Sequence, residues 1–394
     1  MDWTIRGGRA LAGSGLTATE IHVVDGRIAS TPSRSAQVID ADGLLVLPGI
    51  VDIHGDGFER QIMPRPGVRF DTALALRDTD RQLVANGITT AFHGVTISWE
   101  PGLRSVEAAV ELISTLMRIR PSLQCDTRLH LRWETFALDQ LPTVMQWLSL
   151  DPRPIVALND HTTGTVMKGT IARKIDQMAS RSGLSRDAYM ALLDSVWARR
   201  DDVPSAIEEL AMAARSSGNV LLAHDEASPE ERLKFRQLGV VTSEFPLNFE
   251  TAEAARAAGE HIVLGAPNVV RGGSHNGALD ATEAVRSGTC TVLTSDYHYP
   301  SPLHAAFSLA QPDLGDLADS WALVSANAAE AAGLADRGGL RPGLRADLIL
   351  VDASDRSHPR LLATMVGGRM VYTAGGYGLP AAASPALVEE GSQT

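Results

Sequence analysis

The central part of the chain alternates between short aliphatic runs and longer stretches with the periodicity of amphipathic helices. Eight runs have the length and composition of β-strands: GIVDIH (49–54), GITTAFHGV (87–95), TRLHLRWE (127–134), PIVALNDH (154–161), NVLLAHDE (219–226), GVVTSEFP (239–246), HIVLGAPN (261–268) and TCTVLTSDY (289–297). Helix-like segments such as RSVEAAVELISTLMRIR and PSAIEELAMAARSSG lie between them. Strands that alternate with helices in this way predict an α/β fold, a closed (β/α)8 TIM-like barrel.

The two ends of the chain are richer in glycine and in short strand-like runs. WTIRGGRAL and IHVVDGRIAS lie near the N-terminus, and RADLILVD and ATMVGGRMVYTAGG lie near the C-terminus. We expect residues 1–48 and 337–378 to pair into one small β-sandwich domain beside a barrel of residues 49–336. Residues 379–394 are small and polar, which predicts a disordered tail.

Polar side chains that can bind metals or anions follow nearly every predicted barrel strand. They are His54, Asp56, His93, Glu134, Asp160, His161, His224, Asp225, Glu244, Asn268 and Asp296. The C-terminal ends of the strands carry the chemistry in a barrel of this type. We therefore expect these side chains, except for His93, which we interpret as structural, to converge on one site.

Six of these residues form a plausible set of metal ligands. Zinc binds imidazole nitrogens and carboxylate oxygens, and carboxylate-rich sites also accept manganese or iron. Two histidines and one carboxylate would hold one divalent ion, and six groups with a carboxylate between them could bridge two. A bound ion would bring the pKa of a water molecule close to neutrality, and Asp296 would accept the proton. The candidate ligands are His54, Asp56, Glu134, His161, His224 and Asp296.

Each of these residues also has a purely structural interpretation. Asp56 and Asp296 are suitable helix N-caps, and Asp160 fits the same role better than the histidine that follows it. Glu134 follows LHLRW and could pair with Arg132 or Arg128, and His224 could be a buried, hydrogen-bonded histidine. The occurrence of compatible groups at five strand ends in chain order favours the metal site.

Several segments resemble the amidohydrolase superfamily, notably LPGIVDIHGD, the strand ends with His224 and Asp296, and RGGLRPGLRADLILVD. MPRPGVRF, SEFPLNFETAEAAR and GAPNVVRGGSHNG are similar to its phosphonate-pathway branch of ribose 1-methylphosphonate 5-triphosphate diphosphatases. The resemblance extends over about residues 1–376. It implies hydrolysis within a 5′-triphosphate with release of pyrophosphate. The implied ligands are His54, Asp56, Glu134, His161 and His224, with Asp296 as ligand or base.

Three features depart from that resemblance. The stretch Gly57-Phe58-Glu59-Arg60 replaces an amide-bearing segment, so one polar contact is lost while Arg60 keeps a positive charge. The proline usual after Asn327 is an alanine. Our strand count also places His161 and His224 on the fourth and fifth strands, whereas the superfamily uses the fifth and sixth. The first departure leaves the sugar or phosphonate ligand open.

Cationic residues after the strands suit a polyphosphate substrate. Arg65 and Arg69 lie in PRPGVRF after the first strand, and Lys168 lies in HTTGTVMKG after the fourth. After the seventh strand comes RGGSH, in which Arg271, Ser274 and His275 flank two glycines. Exposed backbone N–H groups in such a segment can form an anion-binding nest, and arginine matches phosphate oxygens well. Solvated loop arginines are the alternative interpretation.

Bulk properties narrow the class of partner. The chain has 394 residues and a net charge of −12, which disfavours nucleic acid and anionic membranes but allows a small anionic phosphorylated substrate. No run approaches membrane-spanning length and no secretory signal is evident, so we expect a cytoplasmic protein, with a homodimer as one possibility. An amide or cyclic-amide hydrolase, such as a deacetylase or deaminase, and a non-catalytic scaffold barrel remain as alternatives.

Overall fold

The computed structural model describes residues 1–13, 15–167, 172–273, 279–311, 314–375 and 377. Its strands, in chain order, are β1 (Trp3–Arg6), β2 (Arg9–Ala12), β3 (Gly15–Ala18), β4 (Ile21–Val24), β5 (Arg27–Ala29), β6 (Gln37–Asp40), β7 (Leu45–Pro48), β8 (Ile50–Gly55), β9 (Ile88–Ile97), β10 (Asp126–Glu134), β11 (Ile155–Asn159), β12 (Leu221–His224), β13 (Thr242–Glu244), β14 (His261–Gly265), β15 (Val292–Thr294), β16 (Leu348–Asp352), β17 (Arg360–Val366) and β18 (Arg369–Thr373).

Helices follow every strand of the central part of the chain. They are α1 (Phe58–Ile62), α2 (Thr72–Ala85), α3 (Val106–Ile119), α4 (Leu141–Trp147), α5 (His161–Met167), α6 (Ala172–Ser182), α7 (Arg186–Trp197), α8 (Val203–Ser216), α9 (Pro229–Gln237), α10 (Phe249–Ala257), α11 (Ala266–Arg271), α12 (Ala281–Arg286), α13 (Ser301–Leu309), α14 (Leu317–Ala322) and α15 (Ala326–Ala331). None of the described helices is both long enough and apolar enough to cross a bilayer.

Strands β8 to β15 form one parallel sheet in sequential order, and its two edges meet. The backbone N–H of Asp296, just past β15, donates to the carbonyl of His54 in β8 at 3.0 Å, and the N–H of Asp56 donates to the carbonyl of Asp296 at 2.9 Å. The carboxylate of Asp52 adds a side-chain link, since it accepts from the backbone N–H of Ser295 at 2.9 Å. The prediction of an eight-stranded (β/α)8 barrel is confirmed.

The sequence explains why these strands are central and how the helices begin. All residues of β8, β9 and β11 are buried, as expected for strands covered on both faces. Several helices begin at a side chain that accepts from a free backbone N–H in the first turn. Ser105 does so for α3, Ser228 for α9 and Asn248 for α10.

Apolar side chains from six barrel strands pack together with small residues of α15 and of the position just after it. They are Ile53, Phe92, Ala157, Leu222, Val263, Val292, Ala328 and Ala332. With this apolar core inside the barrel, the polar side chains lie at the C-terminal strand ends, which positions the candidate site.

The terminal segments form two further sheets. One has the order β5-β4-β1-β6, and the other has the order β18-β17-β16-β7-β2-β3. The second joins both ends of the chain, because β16 pairs antiparallel with β7, with Leu350 opposite Val46. Trp3, Ile39 and Met365 contribute to an apolar cluster shared by these two sheets. The expected pairing of the two termini is confirmed, while the domain boundaries at residues 48, 337 and 378 stay predictions, and residues 379–394 lie outside the described part.

Candidate metal centre

A cavity of about 510 Å³ opens at the C-terminal ends of the barrel strands. Five of the six predicted ligands line it. They are His54, Asp56, His161, His224 and Asp296. They come from the ends of strands one, four, five and eight of the barrel, with His161 directly after β11 and His224 at the end of β12. The strand count made from the sequence therefore agrees with the structure for both histidines.

Ligand atoms of these residues and of three others gather in groups small enough for one ion. His54, Asp56 and Asp296 form one group, His161, His224 and Asp225 form a second, and His54, His130 and Glu244 form a third, fully buried one. Within each group the atoms lie within 4.8 Å of one another. Imidazole nitrogens with carboxylate oxygens are the donor set of a catalytic zinc or a related divalent ion.

The charge of the cavity also fits a bound cation. Its described lining carries five carboxylates and one guanidinium, that of Arg132. Close carboxylates repel one another in a partly buried site, and a divalent ion removes that repulsion. The residues present therefore fit the metal that the donor set suggests.

Glu244, at the end of β13, is fully buried and holds two of the candidate ligands at once. Its Oε1 accepts from Nδ1 of His54 at 2.7 Å, and its Oε2 accepts from Nδ1 of His224 at 2.9 Å. The two imidazoles stack with ring centroids 5.5 Å apart. Burial opposes its charge, but His54 and His130 hold the pKa of Glu244 well below its usual range. With Nδ1 engaged, Nε2 is the nitrogen that each of these rings would present to a metal.

Glu134 plays a similar part for His161. Its Oε1 lies 2.5 Å from Nδ1 of His161, and Nε2 of that ring lies 3.3 Å from Oδ2 of Asp225. Glu134 raises the pKa of His161, which burial would lower, and the net result is about 9 in the metal-free chain. Among the described residues, Glu134 is not a member of any of the three groups. It orients His161, and its own coordination of a metal stays a prediction.

The buried guanidinium of Arg132 lies between the first and second groups. Its Nη2 is 3.2 Å from Nε2 of His224, and its Nη1 is 3.7 Å from Oδ2 of Asp56. The alternative left open by the sequence was that Glu134 pairs with Arg132 or Arg128, whereas in the structure Glu134 pairs with His161. Side chains two apart on a strand point to the same side, so this position on β10 did signal a cation inside the barrel.

The backbone turns sharply after three of the barrel strands. Asp225, Phe245 and Asp296 have φ angles of 60°, 53° and 52°. Non-glycine residues rarely adopt this region, and such strain is typical of functional sites. Burial and the neighbouring carboxylate of Asp56 raise the pKa of Asp296 to about 6. A carboxylate with a pKa in that range can accept a proton from water near neutral pH.

Structural roles account for two of the other strand-end residues. Asp160 accepts from the backbone N–H of Thr163 at 2.8 Å and so caps α5, the alternative that the sequence favoured for it. His93 is buried against Phe58, with ring centroids 4.9 Å apart. It lies outside the three groups found in the described part of the chain.

Two predicted substrate-binding arginines converge on Tyr297, the residue after Asp296. The guanidinium of Arg60 lies over its ring at 5.3 Å from the centroid. Nη1 of Arg271 lies 3.5 Å from its hydroxyl. Both arginines are exposed, so their charges lie beside the strand end that carries Asp296.

The other predicted substrate-binding residues are placed differently. Arg69 donates to Glu111 of α3 at 2.8 Å, and Arg65 lies exposed in a turn. Neither lines the cavity described above. Lys168, Ser274 and His275 lie outside the described residues.

The glycine at position 57 has a steric reason in this chain. A Cβ atom there would meet Cζ of Tyr299 at 3.0 Å and Cε2 at 3.1 Å. Tyr299 is buried, so its ring has taken the space of a larger side chain. Gly57 in the Gly57-Phe58-Glu59-Arg60 segment therefore packs closely against a tyrosine from the loop after strand eight.

Four residues of the site were not predicted from the sequence as metal ligands or as hydrogen-bond partners of ligands: Arg132, Asp225, His130 and Glu244. Asp225 and Glu244 were predicted to converge on the site as polar strand ends, but not to be ligands or partners of ligands. His130 is fully buried with Nδ1 3.0 Å from the carbonyl of Ile53, and its Nε2 has no hydrogen-bond partner. Alternation along β10 from Glu134 back to Arg132 and His130 is the signal that could have found two of them.

Comparison with known proteins agrees with this geometry. The chain is 33% identical over 336 residues to alpha-D-ribose 1-methylphosphonate 5-triphosphate diphosphatase of Escherichia coli strain K12, covering 83% of this chain and 88% of the relative. No protein-family model matches.

Solved structures show the same fold at low sequence identity. A crystal structure of an amidohydrolase superposes with a TM-score of 0.63 at 16% identity, covering 95% of this chain and 100% of that one. An amidohydrolase from a Sargasso Sea environmental sample also gives 0.63, at 15% identity, covering 95% and 93%. The chain is a metal-dependent hydrolase, and it belongs to the amidohydrolase superfamily, in the family of the alpha-D-ribose 1-methylphosphonate 5-triphosphate diphosphatase.

Proposed function

We propose that this enzyme hydrolyses a ribose 5-triphosphate to the 5-phosphate and pyrophosphate, and that its substrate in phosphonate breakdown is α-D-ribose 1-methylphosphonate 5-triphosphate. The observation that carries the proposal is the convergence of His54, Asp56, His161, His224 and Asp296 on one cavity. The activity named for the Escherichia coli relative supports the choice of substrate.

In this proposal one or two divalent ions, zinc above all and otherwise manganese or iron, would supply an activated water and neutralise phosphate charge. His54, Asp56, His161 and His224 would hold them. Glu244 and Glu134 fix the imidazoles through Nδ1, so that each ring presents Nε2 to the cavity.

Asp296 accepts the proton of the attacking water in the proposed reaction. The water oxygen forms a bond to the phosphorus next to the sugar, and the bond from that phosphorus to the pyrophosphate oxygen breaks. Asp296 then returns its proton to the departing oxygen, so the cycle is balanced. Arg132 in the cavity lining, with Arg60 and Arg271 on Tyr297 beside Asp296, would support charge on the phosphate oxygens in this proposal.

Product analysis tests the proposal. Purified protein with added zinc, manganese or iron is incubated with a ribose 5-triphosphate in water labelled with oxygen-18. We expect phosphorus NMR to show pyrophosphate without label and a 5-phosphate with one labelled oxygen. Treatment with a chelator should abolish the formation of both products. Release of acetate or ammonia from amides, with no pyrophosphate from any triphosphate, would replace the proposal by an amide hydrolase. A purified protein that contains no metal and takes none up would favour the scaffold alternative.

A further inference from the structure

A second cavity of about 410 Å³ adjoins the metal centre. Its lining shares His161, Thr165 and Asp225 with the first cavity, so the two spaces meet at the second group of candidate ligands. We call this second space the side cavity. Its walls are the segment that follows β9 and the helices α5, α6 and α7.

Aromatic rings form part of the wall of the side cavity. Trp99 and Tyr189 lie with ring centroids 5.7 Å apart. Their polar atoms are already engaged, since Nε1 of Trp99 donates to Thr162 at 2.9 Å and the hydroxyl of Tyr189 donates to Glu100 at 2.8 Å. Tyr189 is fully buried behind Trp99, whereas Trp99 is partly exposed and offers apolar ring surface, which packs well against the C–H face of a sugar.

Two buried polar atoms in the same lining have no hydrogen-bond partner. They are Oγ1 of Thr96, whose residue is 5% exposed, and Nε of Arg181. Buried polar groups in folded proteins are nearly always hydrogen-bonded, so such exceptions need an explanation. Gln177 adds an amide that can donate and accept. Together these groups match a ligand with several hydroxyl groups.

The charges of the side cavity decide against a polyphosphate there. Arg181 is paired with Glu100 at 2.5 Å, and Arg104 is held by Glu59 through Nε at 3.0 Å and Nη2 at 2.9 Å. Each guanidinium is therefore neutralised by a carboxylate. A triphosphate, with several negative charges, would meet Glu100 without a surplus of cations, whereas a neutral group is not repelled and a group with a single negative charge is repelled much less.

We propose that the side cavity binds the pentose end of the substrate, with its single phosphonate charge, while the triphosphate lies at the metal centre. This inference rests on the proposed function, because it divides one substrate between two connected spaces. His161 and Asp225, on the shared wall, then lie at the boundary between sugar and triphosphate.

Ribose 5-phosphate and pyrophosphate can be used as separate ligands to probe the side cavity and the metal centre. Calorimetry on the zinc-loaded protein measures ribose 5-phosphate and pyrophosphate separately, for wild type and for Trp99→Leu. We expect Trp99→Leu to weaken ribose 5-phosphate about tenfold and to leave pyrophosphate within about twofold. Trp147→Leu is the matched control, because Trp147 is also partly buried but lines neither cavity, and it should change neither affinity.

Gln177→Ala gives a second test that does not disturb packing, since Gln177 is exposed. It should weaken the binding of ribose 5-phosphate but not that of pyrophosphate. Equal weakening of both ligands, no weakening of either, or a wild type that binds pyrophosphate but not ribose 5-phosphate would overturn the inference. Failure of the proposed function is recognised independently, as absence of pyrophosphate release by the wild type.

Discussion

Glu244→Gln offers a sharp perturbation of the candidate site, because it keeps the size of the side chain and changes only its hydrogen-bonding capacity. The carboxylate accepts from Nδ1 of His54 at 2.7 Å and from Nδ1 of His224 at 2.9 Å. A glutamine has one acceptor oxygen and one donor amide. It can accept from only one of the rings, so the other ring must turn Nδ1 into an acceptor and move its proton to Nε2.

The magnitude follows from that change of tautomer. A histidine with a proton on Nε2 cannot bind a metal through that atom. One ligand is therefore lost, or the rearrangement of its ring reduces the free energy of metal binding. Loss of a partner that orients a metal-binding histidine typically lowers metal affinity by about 10- to 100-fold. That factor corresponds to about 1.4–2.7 kcal/mol of binding free energy.

The assay is zinc competition against a chromophoric chelator, with metal-free protein whose folding is checked by circular dichroism. Glu226→Gln is the matched control, since Glu226 is also buried but bonds Arg232 at 2.9 Å and Ser243 at 2.5 Å rather than a histidine. We expect zinc affinity to stay within about twofold in the control. Unchanged zinc affinity in a folded Glu244→Gln protein would refute the orienting role of Glu244.

Three further changes address catalysis, substrate binding and stability. Asp296→Asn should lower turnover at least about 100-fold with an unchanged circular dichroism spectrum, and full activity would remove Asp296 as the proton acceptor. Arg271→Ala should raise KM for a ribose 5-triphosphate by about tenfold with kcat nearly unchanged, as steady-state kinetics would show. Although burial opposes its charge, Arg128 and Arg337 hold the pKa of Asp126 well below its usual range. Its stabilising effect is therefore complete above about pH 4 and is lost as pH falls through the folded-state pKa. In urea unfolding, Asp126→Asn should lower the free energy of unfolding by about 3–5 kcal/mol at pH 7 and should reduce its fall with decreasing pH below about pH 4. A fall in the free energy of unfolding as steep as that of wild type would contradict this.

The barrel and the location of the site could be predicted from the sequence because both depend on local patterns. Aliphatic runs of strand length mark the strands, and a polar residue after each run marks the end at which side chains converge. His54, Asp56, His161, His224 and Asp296 were found in this way, and all five line the cavity.

The remaining parts of the site depend on distances across the barrel, which no local pattern contains. Glu244 is a strand-end residue like several others, and only the fold brings both of its oxygens to histidines of two other strands. Arg69 shows the opposite case, since this cation, which follows the first barrel strand, pairs instead with Glu111 on α3. The fit of Gly57 against Tyr299 likewise joins residues 242 positions apart in the chain.

The hydrogen bonds that close the barrel are made by candidate ligands. The peptide groups of His54, Asp56 and Asp296 join the first strand to the last, while their side chains face a common ion site. An ion held there would link the first barrel strand to the last. Without the ion, the two peptide hydrogen bonds and the Asp52–Ser295 hydrogen bond would hold these strand ends together. Amide hydrogen exchange at Asp56 and Asp296 should thus report the loading state of the enzyme directly, without any substrate.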